Sequence, residues 1–456
     1  MAEPSWDVSV GPLSRQPLLP CTVLRGVRPY GDRPIDLLIE NGKIAARGDI
    51  GTGPDVLDIA CHGLIVLPAL TDLHTHLREP GTEDAETIAT GTLAAVKGGY
   101  ATVFAMANTN PVADGPEQVE HVAVIAEHTG HCRVQPVGAV TLGLAGVTIA
   151  PIEAMAASHA KTRMFSDDGR CVEDPALMRQ ALRRAADAGG FIAQHAQSSP
   201  LTPGAQANDG APARELALAG WPNVAEEVII ARDCVLAGAD NTPLHICHVS
   251  TRGSVEIIRW AKSRGWPVTA EVTPHHLLLT DELIRTGDTR YKVNPPLRDI
   301  QDVLALRDAL AEGIIDVVAT DHAPHTPTAK NRPWSDAPPG MLGLETALPV
   351  VAETMVRTGL MSWRGLAEAM AIRPAAIGGT GVGSDPLQPG MPASLCLVDA
   401  GADWTVDPTR LASPARNTPF SGHRFGCRVV ATMIDGRLAW STSEVTLSKD
   451  CVDFRP

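Results

Sequence analysis

The sequence lacks the features of secreted, membrane-spanning and disulfide-linked proteins. Its first twenty residues contain no continuous apolar core of a secretion signal, and no run approaches the roughly 18 apolar residues of a spanning helix. The nine cysteines are odd in number and scattered, and no C-x-x-C pair occurs. We therefore expect reduced thiols and a cytoplasmic protein.

Positive charge is also scarce. The 456 residues include 38 Lys and Arg against 52 Asp and Glu, which gives a formal net charge of −14. This balance argues against nucleic acid or an anionic membrane as the main partner. It does not exclude an anionic small molecule, because a binding site can be locally positive. The hydrophobic fraction of 44% is ample for a large core.

Eight apolar, strand-like runs alternate with helical patterns through the middle of the chain. The first run ends at Leu73-His74, and the others cover 101–107, 134–140, 162–166, 191–194, 244–249, 267–272 and 314–320. Residues 174–189 and 224–238 have apolar side chains at helical spacing and end on glycine. This pattern predicts an α/β fold with a TIM-like (β/α)8 barrel over residues 68–379. A doubly wound open sheet is the alternative.

Both ends of the chain carry β-hairpin signals. Residues 35–48 place Asn41-Gly42 between two strand-like runs, and residues 429–440 place Asp435-Gly436 in the same way. Asn-Gly and Asp-Gly between such runs are strong indicators of a tight turn. We predict a small β-sandwich domain formed from both termini, residues 1–67 plus 380–456.

Histidines and acidic residues recur where the predicted strands end. In a barrel, chemistry gathers at the carboxyl ends of the strands. A lone histidine there is more often structural than a metal ligand, but recurrence at most strand ends favours a metal site. The candidates are His74, His76, Asn108, Asp167, Asp168, His195, His248, His275, His276, Asp321 and His322.

Neutral imidazoles together with carboxylates suit zinc. Four histidines and two aspartates exceed the three or four protein ligands that one zinc ion usually takes. The count therefore favours two zinc ions per chain with a shared carboxylate and a bridging hydroxide. Such a site would carry a net charge of about +1, so it would generate hydroxide at neutral pH and tolerate an anionic substrate.

Several motifs resemble those of the dihydroorotase family of the amidohydrolase superfamily. The segments DLHTHLREPG (72–81) and ATDHAPHTPTAK (319–330) are similar to its two signatures. Shorter motifs follow in the family's order at 107–111, 165–169, 273–277, 292–298, 343–349, 390–400 and 417–420. The resemblance extends from residue 22 to about residue 440. It implies a zinc enzyme, built as a barrel with a small β domain, that interconverts N-carbamoyl-L-aspartate and L-dihydroorotate in pyrimidine biosynthesis.

The resemblance also implies which residues bind the metals. One metal would be held by His74, His76 and Asp321, and the second by His195 and His248. A carboxylate of FSDDG (165–169) would bridge the two metals, as in the class I bacterial type. Many other members of the superfamily use a carboxylated lysine for this purpose. The resemblance to the class I bacterial type implies Asp168 as the bridge, because its spacing of 27 residues to His195 is similar to the spacing in that class. Asp167 is the alternative.

By the same resemblance, a second set of residues would bind the substrate. This set is His76, Arg78, Asn108, Asn294 and His325, together with backbone groups at Pro339 and Gly340. Asp321 would be the catalytic residue, which accepts a proton during attack on the ring amide and returns it to the ring nitrogen. The planar guanidinium of Arg78 matches a carboxylate better than a lysine would.

Some of these residues have a structural interpretation as well. Arg78 could form a surface salt bridge with Glu79, although its place two residues after His76 favours a role at the strand mouth. Asn108 could be a turn former before Pro111. The residues interpreted as structural, or left without a predicted role, are His275, His276, Asp316 and His322.

The proline-rich residues 325–340 follow the eighth predicted strand and predict a loop over the site. A moving lid over 326–340 and a static surface loop are both compatible with this composition. The resemblance leaves the assembly open. We expect a homodimer that acts on a small-molecule substrate, and an association with aspartate transcarbamoylase is a further hypothesis.

Two other functions compete with the dihydroorotase hypothesis. One is a different cyclic-amide hydrolase, such as a hydantoinase or allantoinase, which would share the metal site but lack the arginine two residues after the second histidine. The other is a catalytically inactive homologue that acts as a scaffold for aspartate transcarbamoylase. Arg78 argues against the first, and the presence of all six candidate metal ligands argues against the second.

Overall fold

The computed structural model describes residues 8–9, 11–51, 53, 56–381, 385–442 and 446–447. Its strands are β1 (Val8–Ser9), β2 (Thr22–Pro29), β3 (Ile35–Glu40), β4 (Lys43–Gly48), β5 (Leu57–Ala60), β6 (Ile65–Pro68), β7 (Leu70–Thr75), β8 (Tyr100–Ala105), β9 (Arg133–Pro136), β10 (Met164–Phe165), β11 (Phe191–Gln194), β12 (Ala207–Asn208), β13 (Gly220–Trp221), β14 (Leu244–Ile246), β15 (Val268–Val272), β16 (Val317–Val318), β17 (Leu395–Asp399), β18 (Trp404–Thr405), β19 (Arg424–Phe425), β20 (Arg428–Ile434), β21 (Arg437–Ser441) and β22 (Thr446–Leu447).

The α-helices of the same residues are mostly short. They are α1 (Ile88–Lys97), α2 (Pro116–Thr129), α3 (Ile152–Ala157), α4 (Pro175–Asp187), α5 (Ala211–Glu215), α6 (Val224–Asp240), α7 (Arg252–Ser263), α8 (Pro274–Leu278), α9 (Ile300–Ala311), α10 (Pro327–Lys330), α11 (Ala347–Val351), α12 (Trp363–Ala367) and α13 (Arg373–Ile377). None of these helices has both the length and the apolar character of a membrane span. The eight cysteines of the described residues are free, and Cys451 lies outside them.

Strands from both ends of the chain share one sheet, which has ten strands within the described residues. Its order is β1-β21-β20-β17-β6-β2-β3-β4, with β5 beside β2 and β22 beside β5. The two predicted hairpins are confirmed as β3–β4 and β20–β21. Asn41 and Asp435 have φ values of 50° and 47°, which tight hairpin turns require. The outer parts of the predicted terminal domain, 1–7 and 448–456, lie outside the described residues.

The eight apolar runs of the middle region form parallel strands. β7, β8 and β9 pair with one another, and β10, β11, β14, β15 and β16 form a second parallel sheet. Isolated parallel bridges join Gly138 to Phe165 and Thr75 to His322. The chain therefore has an α/β fold with both parallel and antiparallel sheets. The apolar run at 64–67 belongs to the terminal sheet as part of β6, and the strand that carries His74 begins at Leu70.

Several of the parallel strands end earlier than their apolar runs predict, and β14 and β16 are two of them. β14 covers Leu244–Ile246 of the run 244–249, and β16 covers Val317–Val318 of the run 314–320. Beyond these ends, His248 and Asp321 have φ values of 31° and 48°, so they leave the extended conformation. The strands stop where the chain turns to present candidate site residues.

Helices and apolar side chains cover both faces of the parallel strands. All six residues of β7 and all six of β8 are buried, as expected for strands packed on two sides. The predicted helices 174–189 and 224–238 are present as α4 and α6. Asp174 caps α4 by accepting a hydrogen bond from the amide of Leu177. A separate apolar cluster, including Leu73, Phe104 and Val317, packs among the strands.

Candidate metal and substrate site

Asp72 brings the two signature segments together. Its Oδ1 accepts hydrogen bonds from the amides of His74 (3.1 Å) and Thr320 (3.0 Å), and its Oδ2 accepts one from the Thr320 hydroxyl (2.6 Å). These bonds align the end of β7 with the segment after β16. As a result, Nε2 of His76 lies 2.9 Å from Oδ1 of Asp321, and Nε2 of His74 lies 3.5 Å from the same oxygen.

Asp168 lies between two pairs of histidines. Its Oδ1 is 3.2 Å from Nε2 of His74, 3.4 Å from Nδ1 of His195 and 3.5 Å from Nε2 of His248. Its Oδ2 is 3.4 Å from Nε2 of His76. Nδ1 of His195 and Nε2 of His248 lie 2.8 Å apart. One buried carboxylate therefore contacts all four histidines that the sequence nominates as ligands.

The neighbouring Asp167 has a different environment. Its Oδ1 accepts hydrogen bonds from the amides of Val140 (2.8 Å) and Thr141 (3.0 Å), and its Oδ2 accepts the hydroxyl of Thr141. Both carboxylate oxygens are thus engaged in holding the loop that follows β9. Of the two aspartates that the sequence left open, the structure brings Asp168 to the histidines and turns Asp167 away from them.

Glu271, a residue that the sequence reasoning missed, orients His74. This buried carboxylate of β15 accepts a hydrogen bond from Nδ1 of His74 (2.7 Å), contacts Nε2 of His245 (3.0 Å), and accepts the backbone amide of His248 (3.1 Å). Burial opposes ionisation of Glu271, but His74 and His245 lower its pKa below the usual value. A carboxylate on the outer nitrogen leaves Nε2 of His74 free to bind a metal.

Amide side chains orient two further imidazoles. Oδ1 of Asn108 lies 3.0 Å from Nδ1 of His76, and Oε1 of Gln197 lies 3.0 Å from Nε2 of His195. Each amide oxygen can only accept, so the imidazole nitrogen that faces it carries the proton. Nε2 of His76 and Nδ1 of His195 are then unprotonated and face Asp168. Gln197 was not predicted, and its one signal is its position two residues after His195.

The centre of this cluster fits divalent cations. Nε2 of His74 and Oδ1 of Asp168 are buried and have no hydrogen-bond partner among the described residues. Two groups of potential ligands, His74 with His76 and His195 with His248, share Asp168, and within each group the ligand atoms lie within 4.8 Å of one another. Imidazole nitrogens and carboxylate oxygens converge here with few hydrogen bonds between them, an arrangement that a cation would satisfy.

Charge interactions tie the protonation of the cluster together. Burial by itself would lower the pKa of His74, but Asp168, Glu271 and Asp321 raise it well above its usual value. Burial would likewise raise the pKa of Asp321, but His74 and His76 lower it to about 2. The cluster therefore holds ionised carboxylates against imidazoles, a charge pattern that favours a bound cation.

Arg78 lies at the rim of the cluster. Its Nε donates a hydrogen bond to the carbonyl of Pro324 (3.1 Å), and its backbone φ is 61°. The alternative salt bridge is not found among the described residues, because Glu79 instead accepts the amide of Ile88 (2.8 Å) at the start of α1. No hydrogen bond from the two Nη atoms occurs within that part of the chain. The charged end of Arg78 is therefore available to an anion.

Two predicted substrate-binding asparagines lie beside the histidines. Asn108 contacts His76 as described, and its Nδ2 donates to the backbone carbonyl of Asp168 (3.4 Å). Asn294 donates from Nδ2 to Oε1 of Gln197 (3.2 Å). The buried Oδ1 of Asn294 has no partner in the described residues, so it is open to an N–H group of a ligand.

The backbone at Pro339 and Gly340 is already hydrogen-bonded within the protein. Nε2 of His325 donates to the carbonyl of Pro339 (2.8 Å), and the amide of Gly340 donates to the carbonyl of Lys292 (2.9 Å). The Gly340 carbonyl accepts from Lys330 and Asn417. Burial and the nearby charge of Arg78 lower the pKa of His325 to about 3, so its ring is neutral.

The histidines that were predicted to be structural, or were left without a predicted role, fall into two kinds. His276 contacts Thr273 and the carbonyl of Pro296, and His322 contacts Glu86 and accepts the amide of Gly343, so both have structural partners. His275 is buried but its Nε2 has no partner within the described residues. Burial lowers the pKa of His275 to about 4, so its ring is neutral. Asp316, which binds Lys262 and the amide of Ala270, is also structural.

Solved structures with the same fold are cyclic-amide hydrolases by name. The L-hydantoinase (dihydropyrimidinase) from Arthrobacter aurescens superposes with a TM-score of 0.83 over 95% of this chain and 98% of that chain, at 24% sequence identity. A dihydropyrimidinase from Brevibacillus agri NCHU1002 has a TM-score of 0.80 over 91% of this chain and 94% of its own, at 21% identity. At such identities the likeness establishes the fold alone.

Sequence comparison is more specific. A family model described as dihydro-orotase-like matches residues 63–254. A dihydroorotase of Streptomyces coelicolor (strain ATCC BAA-471 / A3(2) / M145) is 53% identical over 425 residues, which cover 91% of this chain and 99% of that protein. A dihydroorotase of Mycobacterium tuberculosis (strain ATCC 25618 / H37Rv) is 51% identical over 418 residues, 91% of this chain and 97% of that protein. This chain therefore belongs to the dihydroorotase family of cyclic-amide hydrolases.

Proposed function

We propose that this protein is a zinc-dependent dihydroorotase that interconverts L-dihydroorotate and N-carbamoyl-L-aspartate in pyrimidine biosynthesis. The observation that carries the proposal is the position of Asp168, whose carboxylate contacts four histidines beside Asp321. In this proposal His74, His76 and Asp321 hold one metal, His195 and His248 hold the other, and Asp168 bridges them. The unpartnered Nε2 of His74 and Oδ1 of Asp168 support two ions per chain.

The chain's own residues then have distinct tasks in the reaction. Two zinc ions, when bound, would supply a hydroxide nucleophile at neutral pH and polarise the substrate carbonyl. Asp321, whose Oδ1 lies 2.9 Å from Nε2 of His76, accepts a proton as the ring amide is attacked and donates it to the departing ring nitrogen. The amide C–N bond breaks and a free ureide and a carboxylate form. Ring closure follows the same steps in reverse.

In the same proposal, Arg78, Asn294, Asn108 and His325 recognise the substrate. The open Nη atoms of Arg78 bind the substrate carboxylate as a two-pronged donor. The unpartnered Oδ1 of Asn294 accepts an N–H of the ureide. Asn108 and His325, which already have protein partners, contribute by sharing their polar groups with the substrate. Neither a hydantoin nor allantoin offers a ring carboxylate to Arg78.

We also propose that the eight parallel strands close into a (β/α)8 barrel. The support is the pairing order: β7, β8 and β9 lead through the bridge Gly138–Phe165 to β10, β11, β14, β15 and β16. The bridge Thr75–His322 then returns to β7. The barrel would comprise residues 68–379, and the terminal sheet would form the small β-sandwich domain of residues 1–67 and 380–456. We further propose a cytoplasmic homodimer and leave its association with aspartate transcarbamoylase to binding experiments.

A direct assay tests the proposed function. The purified protein should hydrolyse dihydroorotate and cyclise carbamoyl-aspartate, and it should contain two zinc ions per chain. Hydantoin and allantoin should be poor substrates. Faster turnover of hydantoin or allantoin would favour another cyclic-amide hydrolase. Less than one zinc per chain without turnover of any of the four compounds would favour an inactive scaffold.

A further inference from the structure

A buried lysine holds the segment that borders the substrate side of the site. Lys330, at the end of α10, is only 4% exposed. Its Nζ donates to the carbonyls of Pro338 (3.0 Å), Gly340 (3.2 Å) and Lys292 (3.3 Å). These three acceptors match the three N–H groups of an ammonium. Among the described residues Lys330 has no carboxylate within ion-pair distance.

Asn417, from the NTPF motif near the end of the chain, holds the same segment from the other side. It is 2% exposed, and its Nδ2 donates to the carbonyls of Ala323 (2.9 Å) and Gly340 (3.1 Å). Its Oδ1 accepts the amide of His325 (3.1 Å). Lys330 and Asn417 thus share the Gly340 carbonyl. We call these two side chains the clamp.

The segments held by the clamp contact the proposed substrate-binding side chains. Pro324, between Ala323 and His325, accepts the Nε of Arg78, and Pro339 accepts the Nε2 of His325. The packing is close: a Cβ added at Gly340 would lie 2.8 Å from Nε2 of His325, and Gly340 has a φ of 142°. A small movement of either held segment would therefore displace Arg78 or His325.

The positive charge of Lys330 affects which ligands the site favours. A buried cation without a carboxylate partner is costly, and burial together with Lys292 lowers the pKa of Lys330 to about 7. The same charge lies on the side of the site where Arg78 and His325 lie. An anionic substrate group bound there would stabilise the ammonium form and so offset part of the free-energy cost of burying it.

We propose that Lys330 and Asn417 are positioning residues that fix the substrate-carboxylate end of the site, and that the charge of Lys330 favours an anionic substrate. This inference rests on the proposed function. It assigns to residues 326–340 the role of a fixed wall: the carbonyls at its end, Pro338 to Gly340, are held by side chains from the same loop and from the end of the chain.

Three variants and one matched control test the clamp. Lys330→Met removes the charge and all three donors, Lys330→Gln keeps two donors without the charge, and Asn417→Asp keeps the acceptor for His325 but loses both donors. The control is Lys262→Met, because Lys262 of α7 is a half-buried lysine whose Nζ bonds instead to Asp316 (2.6 Å) and to the carbonyl of Gly313 (3.4 Å), neither of which belongs to residues 323–341. Zinc content, kcat, KM for dihydroorotate and hydrogen–deuterium exchange of residues 323–341 are measured for each.

The expected pattern separates binding from chemistry. Lys330→Met should raise KM about ten- to hundredfold, with kcat within about threefold and zinc content unchanged, because the groups that bind the substrate carboxylate are then no longer held in place and the nearby positive charge is gone. Exchange at 323–341 should accelerate in Lys330→Met and Asn417→Asp. Lys330→Gln should raise KM while exchange stays near that of the unaltered protein. Lys262→Met should change KM by less than about threefold.

Several results would overturn the inference. Unchanged KM and unchanged exchange in Lys330→Met would remove the clamp, and a fall in kcat at constant KM would contradict positioning of the substrate. A Lys330→Gln variant with the original KM would remove the role of the charge. If Lys330→Met does not fold, Lys330→Gln and Asn417→Asp decide the question. If the unaltered protein does not turn over dihydroorotate, the proposed function fails, whereas the exchange data still test the clamp.

Discussion

The two sides of the site satisfy their polar groups in opposite ways. On the metal side, Nε2 of His74 and Oδ1 of Asp168 are buried without hydrogen-bond partners in the described part of the chain. On the substrate side, every backbone polar group of residues 338–340 is bonded within the protein, to Lys330, His325, Lys292 and Asn417. The metal side is therefore incomplete by itself, whereas the backbone of residues 338–340 on the substrate side is fully bonded.

This difference follows from what each side has to bind. A buried polar atom without a hydrogen-bond partner lowers the stability of the protein, so it persists where a bound ligand compensates for the loss. For imidazole nitrogens beside carboxylates, the ligand that compensates best is a metal cation. A substrate site gains instead from groups fixed before binding, because less conformational freedom is lost on association. Under the proposed function, the metal side would depend on its ions, and the substrate side would depend on its internal hydrogen bonds.

The largest expected effect distinguishes two adjacent aspartates, Asp168 and Asp167. Asp168→Ala should lose the second zinc and reduce turnover by about a thousandfold or more, because it removes the carboxylate between the histidine pairs. Asp167→Ala should retain its zinc but lose about 2–4 kcal/mol of stability, since three hydrogen bonds to the loop at Val140 and Thr141 are broken. Metal analysis, kcat and denaturant unfolding measure both. Zinc loss in Asp167→Ala with retention in Asp168→Ala would reverse the assignment.

A second substitution separates the substrate side from the metal side. Arg78→Met should keep the zinc content and lose turnover of dihydroorotate by about a hundredfold or more, because a charge-assisted pair of hydrogen bonds to the carboxylate disappears. Zinc analysis and steady-state kinetics with dihydroorotate measure the effect. Full activity in this variant would rule out a carboxylate-binding role for Arg78.

A third substitution tests whether Glu271, which orients His74, contributes to zinc affinity. Glu271→Gln should weaken zinc affinity about ten- to hundredfold, because the amide holds His74 less firmly than the carboxylate does. Glu345→Gln is the matched control: Glu345 is a carboxylate that pairs with Lys97 and accepts the amide of Ala412, and it contacts none of the four histidines, so zinc affinity should not change. Competition with a chelator measures both. Equal affinity in the two variants would argue against orientation by Glu271.

The smallest expected effect lies on the surface, far from both sides of the site. Arg179 and Arg183 of α4 bind Asp240 at the end of α6 and hold the pKa of its carboxyl below the usual value. A lowered folded-state pKa contributes stability above the ordinary carboxyl range near pH 4, and this contribution is lost as pH falls through the folded-state pKa. Asp240→Asn should therefore lower Tm slightly at pH 7, and the difference should vanish in strong acid. A difference that grows with acidity would contradict this sign.

Local sequence patterns account for much of the fold. Alternating apolar runs predicted the eight parallel strands, and Asn41-Gly42 and Asp435-Gly436 predicted the two hairpins, because backbone geometry at these turns depends on a pair of residues. The ends of β14 and β16 were placed too late. Apolar composition continues through these ends, whereas His248 and Asp321 turn the backbone out of the strand.

The orienting residues of the site were the hardest to predict. Glu271 appears in the sequence as one acidic residue inside an apolar run, and nothing nearby indicates that it faces His74, 197 residues earlier. Asn108 was predicted to contact substrate, and its nearest partner in the structure is His76. Gln197 gave only its proximity to His195. Each role depends on which strands are neighbours, and that information is not local.

The sequence by itself determined the family, the positions of the parallel strands and the types of side chain at their ends. Motifs such as DLHTHLREPG carry this information locally, because two histidines two residues apart on a strand share one face. Only the tertiary structure brought Asp168, and not Asp167, beside the four histidines, because adjacent residues beyond a strand end point in directions that depend on the exact turn. It alone also brought Asn417 to His325, 92 residues away, since packing and not chain proximity makes that contact.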